Sequence, residues 1–547
     1  MDFIISKLSS VGPFFLLLGV LIFIHEWGHF IVARMCGVRV ETFSIGFGPK
    51  IFQKKWGETV YCLSVIPLGG YVKMYGDGTE DLIPKGYQNE SFNHQNVFEK
   101  IAIVAAGPVM NLIFAFILFG ALGKMGPPEV GTTIGDIAVG TPAYRAGLRF
   151  GDSIKSVNGS EVVYFEEFTK ELSRLQNGSN ARLQVLKANG KLESLLAPVI
   201  VEDNKNPIST LKRNGYIEGL SLLRESSRVG IDYRSNLLKS GLSSIEKIVA
   251  VNSVPIESFH ELEKAILNTP ANQDLKLSTE KSDGEILDHR VPSSGLAWNF
   301  SSAGLIKPEL MIGQVRKRSP AEAAGLKAGD QIITINNKRL TKWEDLVNTI
   351  KTTAKGQTST LVVADKDGLR TVPVTPAQTE LLTTTGQVEY RPTIGIIPGL
   401  EYIPPKTVIR TFASTKDLFK YAQQQSIHWV KVTLAGFKKL LTGEVSHKTL
   451  SGVISIGKVA KDSLDIGWTY FIKMMAIISI NLFLLNLLPV PVLDGGHLVF
   501  YFIEVVTGSP VSMRAKLIGQ QIGVVLILSL VIYTVFNDFS RIIFSGW

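Results

Sequence analysis

His25-Glu26-Trp27-Gly28-His29 closes an apolar run, Leu16-Leu17-Leu18-Gly19-Val20-Leu21-Ile22-Phe23-Ile24. Two histidines four apart on a helix are rotated by about 40° and share one face. Both imidazoles then reach a single metal ion, and Glu26 lies beside it as a general base, the pattern of a zinc hydrolase. On a soluble helix such a motif can arise by chance. At membrane depth it is costly, and ionisable groups there are kept for function.

A hydrolytic zinc site takes three protein ligands and leaves a fourth position open. The third is sought in Asn486-Leu487-Leu488-Pro489-Val490-Pro491-Val492-Leu493-Asp494-Gly495-Gly496-His497. Two prolines end a helix near Leu488, the glycine pair lets the chain turn, and a carboxylate sits at the break. Irregular backbone at membrane depth is tolerated only where it lines a buried or wet cavity. Asp494 is therefore the expected third ligand. His497, three residues on and in a new helix, is the rival nitrogen donor. His94, His260, His289, His428 and His447 stand in polar or loop contexts and are read as structural or exposed.

These groups need a scaffold, and composition describes it. The 547 residues are 45% hydrophobic and 19% charged, with mean hydropathy +0.19. That balance requires membrane segments together with a water-soluble region. Four stretches reach the roughly 20 apolar residues a spanning helix needs: 12–34, 101–123, 467–488 and 517–537. Lys473, Asn481 and Asn486 in the third mark it as lining a polar interior. The first run is read as a span and not as a cleaved signal, because no small-x-small site follows it. Basic residues in the shorter loops 35–100 and 489–516 favour a cytoplasmic position for them, which makes 124–466 extracytoplasmic. Cys36 and Cys62 both fall in the first of these loops, so no disulfide framework is expected outside. The net charge of +9 is not gathered into a basic stripe with interleaved aromatics, so no nucleic-acid partner is expected.

The segment 128–398 repeats itself. Pro142-Ala143-Tyr144-Arg145-Ala146-Gly147-Leu148, Gly151-Asp152 and Val157-Asn158-Gly159 recur as Pro320-Ala321-Glu322-Ala323-Ala324-Gly325-Leu326, Gly329-Asp330 and Ile335-Asn336-Asn337, at a constant offset of 178. A weaker copy stands between them at an offset of 94, with Gly241-Leu242, Ile248 and Val251-Asn252, where Ile245-Glu246 replaces Gly-Asp. Each copy reads as a short helix, a turn, a strand and a second helix. The pattern resembles the PDZ units of bacterial envelope proteases, which bind extended peptides at a sheet edge; modules that only screen substrates by size give the same sequence. Thr411 to Leu441 has helical apolar spacing with interleaved lysines, an amphipathic helix that packs against membrane or protein.

HEWGH in the first span, LDGG after the third and PDZ-like units between spans two and three together resemble the site-2 protease family of intramembrane zinc metalloproteases, in its sigma-E-regulating branch. Ile66-Pro67-Leu68-Gly69-Gly70-Tyr71-Val72-Lys73-Met74, Ala106-Gly107-Pro108-Val109-Met110-Asn111, Leu450-Ser451-Gly452 and Phe536-Asn537-Asp538-Phe539-Ser540-Arg541 fit the same branch, so the likeness covers essentially the whole chain. The resemblance implies His25, His29 and Asp494 as Zn2+ ligands, Glu26 as the catalytic carboxylate and Asn486 as a group that holds the substrate backbone. It implies that 41–77, with Gly46-Phe47-Gly48, is a membrane-associated β-hairpin that pairs with an unwound substrate. The implied substrates are single-span, anti-sigma-factor-like membrane proteins already cut outside the membrane, or signal-peptide remnants. The implied place is the bacterial inner membrane, in an envelope stress response, with peptide C-termini as ligands of the PDZ units and lipid around the core. Two departures from the resemblance stand out: three PDZ-like units where the family usually has two, and Val453 where relatives commonly carry proline after Ser-Gly.

The expected fold is thus an α+β membrane protein. It comprises a membrane half-core over 1–126, PDZ-like modules over 127–215, 216–300 and 301–398, an amphipathic helical segment over 399–466 and a second half-core over 467–547. The alternative is a membrane-anchored PDZ adaptor without activity, against which the intact His25, Glu26, His29 and Asp494 argue. A metal transporter needs more intramembrane ligands than the other spans supply.

Overall fold

The computed structural model describes residues 2–77, 83–204, 211–239, 242–280, 284–382 and 388–545. Gly241 of the weaker repeat lies outside the described residues. The described residues form two compact units, one within 2–128 and 409–545, the other within 129–204 and 211–408.

In the first unit, four helices among the described residues are long and apolar enough to cross a membrane: Gly12–Met35, Val97–Met125, Trp468–Asn486 and Met513–Ser540. The second starts before its apolar run because Asn96 and Glu99 cap it reciprocally. Asn96 Oδ1 accepts from the Glu99 N–H at 3.0 Å and Glu99 Oε2 accepts from the Asn96 N–H at 3.1 Å. Spans one and two meet at glycines. A Cβ on Gly28 would overlap the Ala106 carbonyl, and one on Gly107 would overlap the His29 ring. Span three is tied to span two by the buried Ser479 hydroxyl, which donates to the Asn111 carbonyl at 2.7 Å. The lysine-studded helix is Thr415–Leu441. Its Ala422, Trp429 and Val430 pack with Ala115 and Phe119 of span two and Ala476 and Ile480 of span three, while Phe419, Ile427 and Leu434 remain exposed.

Two long strands, Val40–Trp56 and Thr59–Met74, follow span one. Each folds on itself, so that 42–45 lies between 60–63 and 70–73 while 52–56 pairs with 59–63. The fold falls at Gly46 and Gly48, with φ of 90° and 84°, a region that favours glycine. A Cβ at Gly46 would also come within 2.8 Å of the Ile66 carbonyl oxygen. The hairpin expected over 41–77 is therefore a four-ribbon sheet. Its outer ribbon, 70–73, has a strand partner on one side only among the described residues.

The second unit holds three hydrophobic cores. They gather around Ile154, Phe168 and Leu183, around Ile248, Leu262 and Leu275, and around Ile332, Leu346 and Val363. Each has the same local order: Pro142–Arg145, Ser153–Val157, Phe165–Ser173; Asn236–Lys239, Ile245–Val251, Phe259–Leu267; Pro320–Ala323, Gln331–Ile335, Trp343–Thr352. Asn158, Asn252 and Asn336 share a left-handed φ of 49°, 49° and 48°. Their Oδ1 atoms accept from the N–H groups of Arg182, Lys276 and Thr360 at 2.8, 2.9 and 2.8 Å. Asparagine is repeated because it tolerates that conformation and stitches the turn to the next strand. Asp152 likewise accepts from the Arg149 and Ala188 N–H groups and from Lys187. Asp330 accepts from the Lys327 N–H and pairs with Arg370. In the middle copy Glu246 takes a simpler role, accepting from the Ser243 N–H at 2.6 Å.

Candidate metal centre

His25 and His29 project from one face of the first span, and their Nε2 atoms lie 3.3 Å apart. Asp494 opens a short helix, Asp494–Thr507. Its Oδ2 is 3.2 Å from His25 Nε2 and its Oδ1 is 3.5 Å from His29 Nε2. Four ligands arranged tetrahedrally at zinc's usual bond lengths sit roughly 3.3 Å from one another. The two imidazole nitrogens and the Asp494 carboxylate lie at separations of that order. Among the described residues this trio is the one group of histidine, cysteine and carboxylate donors close enough to share an ion.

Neighbouring groups set the ring tautomers. His29 Nδ1–H donates to the Ile103 carbonyl at 2.9 Å, which leaves Nε2 bare for a metal. His25 Nδ1 lies 3.2 Å from the side-chain amide of Asn111. Asn111 is fully buried and its Oδ1 has no partner. With the amide turned, that oxygen accepts His25 Nδ1–H and readies the second Nε2 in the same way. The donor set and this orphaned oxygen both fit zinc.

Glu26, 9% exposed, lies against the outer ribbon: a Cβ on Gly70 would sit 2.8 Å from Glu26 Cγ. A cavity of about 320 Å3 opens here, lined by His25, Glu26, His29, Gly70, Tyr71, Asn486, Asp494 and His497 among others. The Asn486 amide lies 3.4 Å from His25 Nε2. His497 shares the cavity but stands outside the donor trio. Burial pulls its imidazole below the usual range and pushes the nearby Asp77 carboxyl up. Gly46, Phe47 and Gly48 do not line this cavity. Phe47 bears on it through Tyr71, the rings stacked at 6.3 Å and 11°.

Sequence reasoning gave Asn111 and the Ile103 carbonyl no role. For Asn111 a signal existed, a lone amide within an apolar span. For a backbone carbonyl none does.

The Peptidase family M50 profile matches residues 13–530. The chain is 30% identical over 545 residues to Protease RseP of Yersinia pestis, covering 98% of this chain and 100% of the relative. It is 30% identical over 548 residues to the regulator of sigma-E protease RseP of Escherichia coli K12, with the same coverage. A Neisseria meningitidis protein whose name describes a zinc metalloprotease is 30% identical over 530 residues, 96% of this chain and 97% of that one. A paired-imidazole and carboxylate centre among apolar helices, with a match of this extent, makes the chain a member of peptidase family M50, a membrane zinc metalloprotease.

Proposed function

We propose that the protein is an intramembrane endopeptidase that cuts the transmembrane segment of single-span membrane proteins. The observation that carries this is Glu26 beside the His25, His29 and Asp494 trio, on a helix apolar enough to span and facing a strand edge with an open side. His25, His29 and Asp494 hold zinc. When bound, zinc polarises the scissile carbonyl and acidifies a water. Glu26 takes the water proton and delivers it to the leaving amine as the C–N bond breaks. A helical substrate hides its carbonyls in i→i−4 bonds and must unwind first. Ribbon 70–73 takes the unwound chain by strand addition, with Phe47 bracing Tyr71 from behind. The Asn486 amide holds a substrate carbonyl.

The three modules of the second unit are PDZ-like and stand on the periplasmic side of the bacterial inner membrane. There they screen substrates by the size of their outer domains and take peptide C-termini. Five relatives are named regulator of sigma-E protease, and on that ground the substrate class is anti-sigma-factor-like proteins already trimmed outside the membrane, with signal-peptide remnants as a second group.

The test is Glu26→Gln in the full chain with a single-span model substrate. Zinc stays bound and cleavage is lost. Cleavage that survives the substitution overturns the assignment of the base. Zinc retention without cleavage of any membrane-embedded substrate by the parent protein supports the inactive adaptor.

A further inference from the structure

Asp494 reaches the two imidazoles from a turn that no spanning helix contains. The chain leaves span three at Asn486, passes Pro489 and Pro491, and enters Val492 with φ of +126°, a conformation that L side chains rarely adopt. Two residues later comes the carboxylate. A strained valine so close to a metal donor needs an external support.

The fourth span supplies it. Gly523 is buried, although Ile522, Val524, Val525 and Leu526 around it are well exposed. A Cβ on Gly523 would overlap the Pro491 carbonyl oxygen and stand 3.0 Å from Val492 Cγ2. One turn earlier, a Cβ on Gly519 would meet Phe500 Cζ at 3.3 Å and Pro491 Cβ at 3.5 Å. The two glycines form a saddle in which Pro491 sits. Apart from Gly523, the buried residues of this helix among those described are Asn537 and Asp538, near its far end. Its seat on the catalytic turn is therefore narrow and local.

We infer that Gly519 and Gly523 are positioning residues for the third metal ligand: their bare backbone admits Pro491, locks Val492 in its left-handed conformation and thereby sets the Asp494 carboxylate between His25 and His29. This rests on reading Asp494 as a zinc ligand. Small-residue contacts let membrane helices approach a neighbouring backbone closely, and groups that hold a metal's ligands in place are worth about 10–100-fold in metal affinity.

The experiment uses the full chain in detergent and compares Gly523→Ala, Gly519→Leu, Asp494→Asn and the lipid-facing control Ile532→Ala. Zinc affinity is read by chelator competition, ligand geometry by the absorption of the Co2+-loaded protein, and kcat and KM on a model substrate. Both glycine variants are expected to bind zinc about tenfold or more weakly, to alter the Co2+ spectrum and to lose kcat at nearly unchanged KM, while the control matches the parent. Either glycine variant suffices if the other fails to fold. Parent-like zinc affinity and Co2+ spectrum in a folded glycine variant, with Asp494→Asn impaired, overturn the saddle. Parent-like zinc affinity in Asp494→Asn overturns the underlying ligand reading instead.

Discussion

The Nδ1–H of His29 donates a hydrogen bond to the carbonyl of Ile103, 2.9 Å away on the neighbouring span. Ile103 stands four residues before Gly107, whose missing side chain leaves space for the imidazole. One backbone carbonyl and one glycine therefore fix which nitrogen of His29 faces the Asp494 carboxylate. Among the described residues His25 Nδ1 has no such carbonyl and meets side-chain amides instead.

The nearer amide belongs to Asn111. Asn111→Leu keeps the volume but removes the acceptor for His25 Nδ1–H. Zinc affinity is expected to fall about 10–100-fold with little change in helix content. Chelator competition on the purified full chain checks it. An unchanged affinity means that Asn111 serves packing alone.

How far the sequence carried the site depends on the kind of constraint. HEWGH was legible because helical periodicity fixes the relation of His25 to His29. Asp494 was legible as a carboxylate at a helix break, but its place 3.2 Å from His25 depends on packing between spans far apart in sequence. The doubling of 41–77 into four ribbons was not legible, since its signal is two glycines at positive φ and nothing in the residue alternation announces a reversal. The repeats were legible because turn asparagines and aspartates recur, yet the offset alone could not reveal that Asp152 anchors a lysine.

The Asp152–Lys187 pair makes the first and middle modules unequal. Asp152 is 1% exposed and 2.6 Å from Lys187 Nζ; Glu246 at the corresponding place accepts one backbone bond near the surface. Asp152→Ala strands a largely buried ammonium and is expected to cost about 3 kcal/mol. Glu246→Ala is expected to cost about 1 kcal/mol. Hydrogen exchange on the whole protein, comparing strands Ser153–Val157 and Ile245–Val251, reads each module separately. Equal losses of protection contradict this account.

Val453 opens the helix Val453–Ile466 after Gly452. Asp538 accepts the N–H groups of Gly452 and Ser455, each at 3.0 Å, and also the Ser455 hydroxyl. The N–H of Val453 is not among these donors, and Gly452 is extended at φ −94° and ψ −168°, which suits a following proline. Val453→Pro is therefore expected to leave the helix intact and to raise stability by about 0.4–1 kcal/mol. Asp538→Ala strands buried N–H groups and is expected to lower stability by about 1–3 kcal/mol. Thermal unfolding in detergent decides both signs.

The second unit holds an acid pair that responds to pH in a direction opposite to ordinary acid unfolding. Asp136 Oδ2 accepts from the Glu225 N–H at 2.6 Å. Burial pushes the Asp136 carboxyl up, against the pull of that hydrogen bond and of His260, Lys307 and Arg224. Burial also raises Glu225, aided by Asp136, Glu309 and Glu263 and opposed by Lys307. A carboxyl whose folded pKa exceeds its unfolded value binds protons more tightly when folded. Its cost is present at neutral pH and fades as pH falls through the raised folded pKa. Asp232, Asp274 and Asp288 are shifted down, chiefly by the Arg234 side chain, the Ser293 N–H and the Lys276 side chain respectively, and they lose stability only at lower pH. The unit is therefore expected to gain stability as pH falls from neutrality through the raised folded pKa values of Asp136 and Glu225, then to lose it on further acidification. Hydrogen exchange of the segment around Glu225 measures the trend in the full chain. Asp136→Asn combined with Glu225→Gln is expected to abolish the gain, because neither group then titrates. A rise that persists in the double variant places its source in other residues.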